Sequence, residues 1–247
     1  MQRYKLTLEY DGTPFVGWQR QENGLGVQQV LEEAVTAFCA ETVNAFAAGR
    51  TDAGVHALGQ VAHIDLEKDT DADTVRDALN YHMKPHPVAV VVCEAVDDEF
   101  HARFSAQERV YQYRIVNRRA PLALAQHRAW LVPVALNADA MNDAAQTLVG
   151  KHDFSTFRAA ECQSSSPVKT IDKITVARAG DNIFVSVRAR SFLHHQVRNI
   201  VGTLKYVGDG KWTKDDVQSA LEKRDRAAGG PTAPAAGLFL THVCYPD

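Results

Sequence analysis

Cysteine is scarce and scattered. The four in 247 residues, Cys39, Cys93, Cys162 and Cys244, form no Cys-x-x-Cys pair and no zinc or disulfide spacing, so they are expected to be reduced and mostly structural. No apolar run approaches a membrane span. Met1-Gln2-Arg3-Tyr4-Lys5-Leu6 enters an alternating pattern at once, without the apolar region of a secretory signal, and a cytoplasmic protein is the expectation. Nor is there an overall positive charge: 27 Lys and Arg stand against 30 Asp and Glu, which excludes a uniformly basic nucleic-acid coat. The charge is unevenly spread, however. Residues 101–130 hold six arginines and one acid, Glu108, whereas residues 60–100 hold ten acids and three basic residues. One surface is thus able to attract phosphate while another repels it, although Arg114, Arg118, Arg119 and Arg128 also fit an ordinary solvated strand face.

What the chain does have is clean periodicity. Tyr4, Leu6, Leu8 and Tyr10 alternate with Arg3, Lys5, Thr7 and Glu9, the period of a strand with one buried face. Val27, Val30, Leu31, Val35 and Phe38 fall on one helical stripe after the Gly24-Leu25-Gly26 loop. Short strands near 42–48 and 58–66, a helix near 72–82 and an apolar strand at 88–96 complete a β-α-β-β-α-β order. A second such order follows: a strand at 109–117, a helix at 137–149 capped by Asn137, strands near 170–179 and 182–190 around an Asp181-Asn182 turn, and a long helix with Leu193, Val197, Ile200, Val201 and Leu204 on one face, ending near Gly208. An extra helix starts at Thr213, which with Asp216 spells a capping box, and Leu238–Tyr245 is the last strand. The pattern predicts an α/β (α+β) chain of two ferredoxin-like domains with mixed, mainly antiparallel sheets, residues 1–105 and 106–247. A single continuous mixed sheet satisfies the same order. The Ala- and Gly-rich stretch 227–237, with Pro231 and Pro234, reads as a mobile loop.

The segment that points to chemistry is Gly49-Arg50-Thr51-Asp52-Ala53-Gly54-Val55-His56-Ala57, where one carboxylate stands between two glycines with an arginine two positions away. Glycine permits tight turns and close ligand approach, and Arg50 is placed to hold Asp52 ionised. An isolated Arg-x-Asp is more often a hairpin tip with a surface ion pair. Here the whole string resembles the signature loop of the tRNA pseudouridine synthase A family. Tyr10-Asp11-Gly12-Thr13, Gly17-Trp18-Gln19, Val27-Gln28, Phe100-His101-Ala102-Arg103-Phe104-Ser105-Ala106, Val197-Arg198-Asn199 and Gly237-Leu238-Phe239-Leu240 match in the same order.

The resemblance implies isomerisation of uridine to pseudouridine at positions 38, 39 and 40 of the tRNA anticodon stem-loop. It implies a homodimer, an active-site cleft between the two domains, and Asp52 as the catalytic residue. It also implies substrate binding by Tyr111, whose ring suits stacking on uracil, while Arg50 and Arg198 are candidate cations opposite Asp52. Arg198 follows Val197 by about 100° around a helix, so it can leave the buried stripe at its edge. The reaction is internal to one nucleoside and involves no redox step, so no cofactor is expected. Asp52 is able to act as a nucleophile or as the base that takes the 2′ proton, and the sequence leaves both open. Phe100–Ala106 is expected to be a hinge, Arg103 a phosphate contact, and Gln19, Arg20 and Gln21 backbone contacts. Adjacent His194 and His195 on a helix point apart and no carboxylate partner is evident, so no metal is expected. Gln196 departs from the family pattern, in which an apolar residue commonly precedes Val-Arg.

Two other classes compete. A pair of RNA-recognition modules has the same element order, but it needs aromatics on its third strand, and Gln60-Val61-Ala62-His63-Ile64-Asp65 has none. A phosphohydrolase with an aspartate nucleophile needs magnesium and further acids, which neither flank of Asp52 supplies.

Overall fold

The alternation at the start is expressed directly. In β1 (Gln2–Tyr10), Tyr4, Leu6, Leu8 and Tyr10 are buried while the intervening side chains are partly or fully exposed. The computed structural model describes residues 1–246. It continues with α1 (Val27–Cys39), β2 (Phe46–Ala47), β3 (His56–Leu66), α2 (Ala72–His82) and β4 (Val88–Val96). Helix α1 buries Val27, Val30, Leu31, Ala34 and Val35, and each fully buried aliphatic contributes about 1.5–3 kcal/mol. Helix α2 is capped by Asp71, which accepts from the Thr74 amide.

The remaining elements are β5 (Glu108–Val116), β6 (Trp130–Leu131), α3 (Ala138–Ala145), β7 (Gly150–Asp153), β8 (Val168–Ala179), β9 (Asn182–Ala189), α4 (Gln196–Gly208), α5 (Lys214–Lys223) and β10 (Leu238–Cys244). Asn137 caps α3 through the Ala140 amide, and Thr213 with Asp216 forms the expected capping box of α5. Strands β6 and β7 are too short to carry a sequence period. The β8–β9 loop is Gly180-Asp181, one residue earlier than expected, because it takes a positive φ that Gly180 supplies at +58°.

The chain forms two compact units, Met1–Gln107 with Phe239–Asp247, and Glu108–Leu238. In the first, β1 pairs antiparallel with β3 and β4, β2 lies antiparallel on β3, and β10 pairs parallel with β3 through Phe239 and His56. The first unit thus takes its last strand from the far end of the chain. In the second, β9 pairs antiparallel with β5 and β8, β7 lies antiparallel on β8, and β6 lies parallel to β5. The architecture is mixed α/β with mainly antiparallel strand pairs, as expected. In the second unit α3, α4 and the β8–β9 pair bury Met141, Ile200, Val201, Leu204, Ile174, Val185 and Val187.

Candidate active site

Residues 48–55 connect β2 to β3, and main-chain bonds hold Ala48, Thr51, Asp52, Gly54 and Val55 in place. The Ala48 amide donates to Val61, the Trp18 amide to the Thr51 carbonyl at 3.0 Å, the Val55 amide to the Asp52 carbonyl at 3.1 Å, and the Gly54 amide to Phe15 at 3.3 Å. Asp52 also forms an antiparallel bridge with Gly17. Two glycines make this geometry accessible: Gly54 at φ +74° turns the loop, and Gly17 at φ +117° leaves no room for a Cβ, which would lie 2.6 Å from the Thr51 carbonyl oxygen. The Asp52 side chain is half-buried and Arg50 is exposed.

Beneath the loop lies a buried polar layer. The Tyr10 hydroxyl and Thr51 Oγ1 are 2.8 Å apart, and the Gln60 amide donates to the Gly49 carbonyl at 2.8 Å and to Tyr10 at 3.4 Å. Burial, only partly offset by bonds from Thr51 and Gln60, raises the Tyr10 phenol to about 12, so it stays neutral and structural at working pH. Gln60 is 0 % exposed, and its Oε1 has no hydrogen-bond partner.

Several matched segments owe their residues to this loop. Asp11 accepts from the Thr13 amide and hydroxyl, and the Gly12 amide donates to His56 Nδ1 at 3.0 Å. Asp11 Oδ1 lies 3.2 Å from the same nitrogen. His56 stacks on Phe239 at 4.6 Å, which brings the first residues of β10 in this unit to the base of the loop. Arg20, expected to contact a substrate backbone, is bonded to Glu32 at 3.1 Å and Glu33, and Gln21 to the Val16 carbonyl. Residues 100–106 are knitted into the first unit: the Ala102 amide donates to His63 Nδ1 at 3.1 Å and the Ser105 amide to His101. Burial first, then the Arg3 charge, lowers His63 to about 4, so it serves as a neutral acceptor there.

The second unit holds Tyr111 and Arg198. Tyr111, on β5, is 9 % exposed, with its ring edge-on to Phe192 at 5.2 Å. Arg198 is in the first turn of α4, half-buried, and its Nε donates to the Ala233 carbonyl at 2.8 Å. Arg114 bonds Asn182 and Arg118 pairs with Asp181, whereas Arg103 is exposed, with its guanidinium 5.8 Å from the Phe104 ring.

Two expectations need correction here. His194 and His195 are not helical: His195 is the residue before α4, at φ +62°, a left-handed conformation that cannot continue a helix, and the two rings lie 4.0 Å apart instead of diverging. Gln196 explains the turn. Its Oε1 accepts from the Leu193 amide at 2.8 Å, which an apolar side chain cannot do, while its Nε2 is buried without a partner. The second correction concerns residues 227–237, which are bonded along α4 and not loose. The Gly230 amide donates to Thr203 Oγ1, the Ala233 amide to the Arg198 carbonyl, and Tyr113 to the Pro234 carbonyl. Sequence composition misses this because the bonds come from side chains far away in the chain.

The comparisons with known proteins agree with the matched segments. A family profile described as "tRNA pseudouridine synthase" matches residues 7–105 and 144–246. The chain is 67% identical to the tRNA pseudouridine synthase A of Paramagnetospirillum magneticum over 99% of this chain and 96% of that one. It is 63% identical to the proteins of that name from Parvibaculum lavamentivorans and Rhodospirillum centenum, over 99% of this chain and 100% of each relative.

Proposed function

The chain belongs to the tRNA pseudouridine synthase family, and from that premise we propose a site of action, a set of reacting groups and an assembly. The protein is an isomerase that converts uridine to pseudouridine in tRNA. Our reading places the targets at uridines 38, 39 and 40 of the anticodon stem-loop, with Asp52 as the catalytic residue. Arg50 and Arg198 serve as the cations that keep it ionised, and Tyr111 as the ring that receives the uracil. The domains that share this work are those around 1–105 and 106–247, with β10 completing the first. The working form is a cytoplasmic homodimer. Among the described residues no helix is long and apolar enough to cross a membrane.

The chemistry balances within one nucleotide. The C1′–N1 bond breaks, the uracil turns while it stays bound, C1′ joins C5, the C5 proton leaves and N1 gains one. A carboxylate can assist by adding covalently to the sugar or base, or by removing the 2′ proton. Both routes need Asp52 charged in a site closed to water, where desolvation favours the neutral acid unless a guanidinium opposes it. A uridine within a stem must first leave its stack at a cost of a few kcal/mol, which an aromatic platform such as Tyr111 offsets.

The observation that best supports this reading is the pinning of the Asp52 backbone on both sides, by the Gly17 bridge and by the Val55 amide. A carboxylate on a tethered loop is held for chemistry at low reorganisation cost. The test is to incubate the protein with unmodified tRNA transcripts and map pseudouridine at single-nucleotide resolution, beside Asp52→Asn. Product at 38–40, lost in the variant while tRNA binding persists, is the expected result. Product at a normal rate from the variant removes Asp52 from the mechanism. Sedimentation at working concentration checks the dimer.

A further inference from the structure

The segment 226–234 carries two glycines, two prolines and small side chains, and its composition offers little to hold it in place. It is nonetheless fixed against α4 by an interlocked set of bonds. Arg226 donates from one terminal nitrogen to the Gly230 carbonyl at 2.9 Å, and from the other to Asn199 Oδ1 at 3.2 Å and Thr232 Oγ1 at 3.1 Å. Thr232 in turn donates to Asn199 Oδ1 at 2.7 Å, and Asn199, 1 % exposed, donates to the Phe157 carbonyl at 2.9 Å. The segment and α4 touch so closely that a Cβ on Gly202 would lie 1.6 Å from the Pro231 carbonyl oxygen.

The end of this segment is Ala233, 0 % exposed, and it meets Arg198 twice. Its amide donates to the Arg198 carbonyl at 3.1 Å, and its carbonyl accepts from Arg198 Nε at 2.8 Å. An arginine side chain has about 2 kcal/mol of rotamer freedom to lose. Tying Nε to a fixed carbonyl removes much of it before any ligand arrives and sets the plane and direction of the outer guanidinium edge. That edge is the fork that matches a carboxylate or phosphate with two parallel bonds.

We infer that Arg226 and Asn199 are positioning residues for the reaction: they lock residues 229–234 onto α4 so that the Ala233 carbonyl aims the Arg198 guanidinium. The inference rests on the reading of Arg198 given above. Neither residue needs to approach the RNA. The juxtaposition also explains why Asn199 follows Val197-Arg198, since it fastens the strap that holds its neighbour.

The test is a double-mutant cycle between positions 226 and 198, read as the single-turnover rate of pseudouridine formation at saturating tRNA, with tRNA Kd and melting temperature measured in parallel. Arg226→Ala is expected to slow the step about 10- to 100-fold, the scale of small misplacements of a reacting constellation, with Kd changed by less than about twofold. In the Arg198→Ala background the same change should have no further effect on rate, because the group it aims is gone. Arg226→Lys should rescue only in part, since one ammonium cannot serve Gly230, Thr232 and Asn199 together. Thr232→Val removes part of the same network with little volume change and runs through the same cycle if Arg226→Ala fails to fold. An unchanged rate in Arg226→Ala or Thr232→Val, where Arg198→Ala is slow, overturns the positioning role. So do equal losses with and without Arg198, which mark a general structural effect. If Arg198→Ala is itself as fast as the parent, the reading of Arg198 fails, and this inference with it.

Discussion

Gly17→Ala tests how the fold holds Asp52, without touching any group proposed to react. Gly17 sits at φ +117°, outside the left-handed region that even asparagine tolerates, so an alanine there costs about 1–3 kcal/mol in backbone strain alone. Its Cβ would stand 2.6 Å from the Thr51 carbonyl oxygen and 3.2 Å from the Asp52 carbonyl carbon, both main-chain atoms that cannot rotate away. Ordinary contact begins at 3.4 Å, so the two segments must separate by about 0.8 Å, 3.4 minus 2.6. That displacement strains the 3.0 Å bond from the Trp18 amide to Thr51 and moves the Asp52 backbone directly. A shift near 1 Å in a reacting group costs about 100-fold in rate. The expected outcome is a destabilisation of about 2–4 kcal/mol by chemical denaturation and a single-turnover rate lower by about two orders of magnitude. Gly210→Ala is the matched control. Its φ of +77° imposes backbone strain too, but nothing lies within 4 Å of its Cβ, so stability should fall modestly and the rate should not. A Gly17→Ala protein with parental stability and parental rate refutes the argument that this contact sets the loop.

Three further outcomes follow from the same geometry. Tyr10→Phe removes a buried hydroxyl that serves Thr51 and Gln60, and should cost about 1–3 kcal/mol in a denaturant titration, with a slower reaction and no change in pH profile, since the phenol titrates only near 12. His63, lowered to about 4 by burial and then by Arg3, binds its proton in the unfolded chain near pH 6.5 but in the folded one only near 4, so its contribution is lost as pH falls through that window. Its slope is at most about 1.4 kcal/mol per pH unit, and the stability of His63→Gln, measured from pH 7 to 4, should fall less steeply than the parent's. An equal slope would show that His63 is not the buried neutral acceptor described. Gly202→Ala should destabilise by at least about 3 kcal/mol because its Cβ meets the rigid Pro231 carbonyl at 1.6 Å, whereas Gly208→Ala, whose Cβ faces the flexible Met141 side chain at 2.7 Å, should cost less in the same melts.

The elements with a long local period were legible in the sequence, and so were caps that lie within four residues of one another. The Val27-to-Phe38 stripe became α1, Val88–Val96 became β4, and Asn137 and the Thr213–Asp216 pair cap the helices expected of them. What escaped was whatever depends on distant partners. Strand β10 runs parallel beside β3, from nearly two hundred residues away, and nothing in Leu238–Cys244 encodes which unit it completes. Residues 227–237 look loose because their own side chains are small, and they are held because Thr203 and Arg226 bond the Gly230 backbone while Asn199 accepts from the Thr232 hydroxyl and the Arg226 guanidinium. His194 and His195 were placed on a helix by apolar spacing alone, and the left-handed turn at His195 has no periodic signal. In the candidate site, the reactive residue types were visible as a motif. Their supports were not: Gln60 looked like one polar position in a strand, and only folding shows it under Gly49.

The supports share a physical design that explains where this fold spends polar burial. Hydrophobic packing is non-directional and can hold a loop near a place, whereas hydrogen bonds from buried side chains fix it at one. Asp52 is reached through Tyr10, Thr51 and Gln60, and Arg198 through Asn199, Thr203 and Arg226, so these two charged candidates rest on polar layers that are largely buried. Tyr111 needs no such layer, because a strand ladder and the Phe192 ring already define its position. Among the described residues, the two buried side-chain atoms without partners, Gln60 Oε1 and Gln196 Nε2, belong to residues that brace these same segments. Each such atom forfeits about 1–3 kcal/mol. A residue that carries this cost while its other amide atom holds the Gly49 carbonyl or the Leu193 amide is better explained by the shape it imposes than by stability. Replacing Gln60 by Leu would relieve the unpaired oxygen and remove the bond to Gly49, so a protein of near-parental stability with a slower reaction is the outcome this reasoning requires.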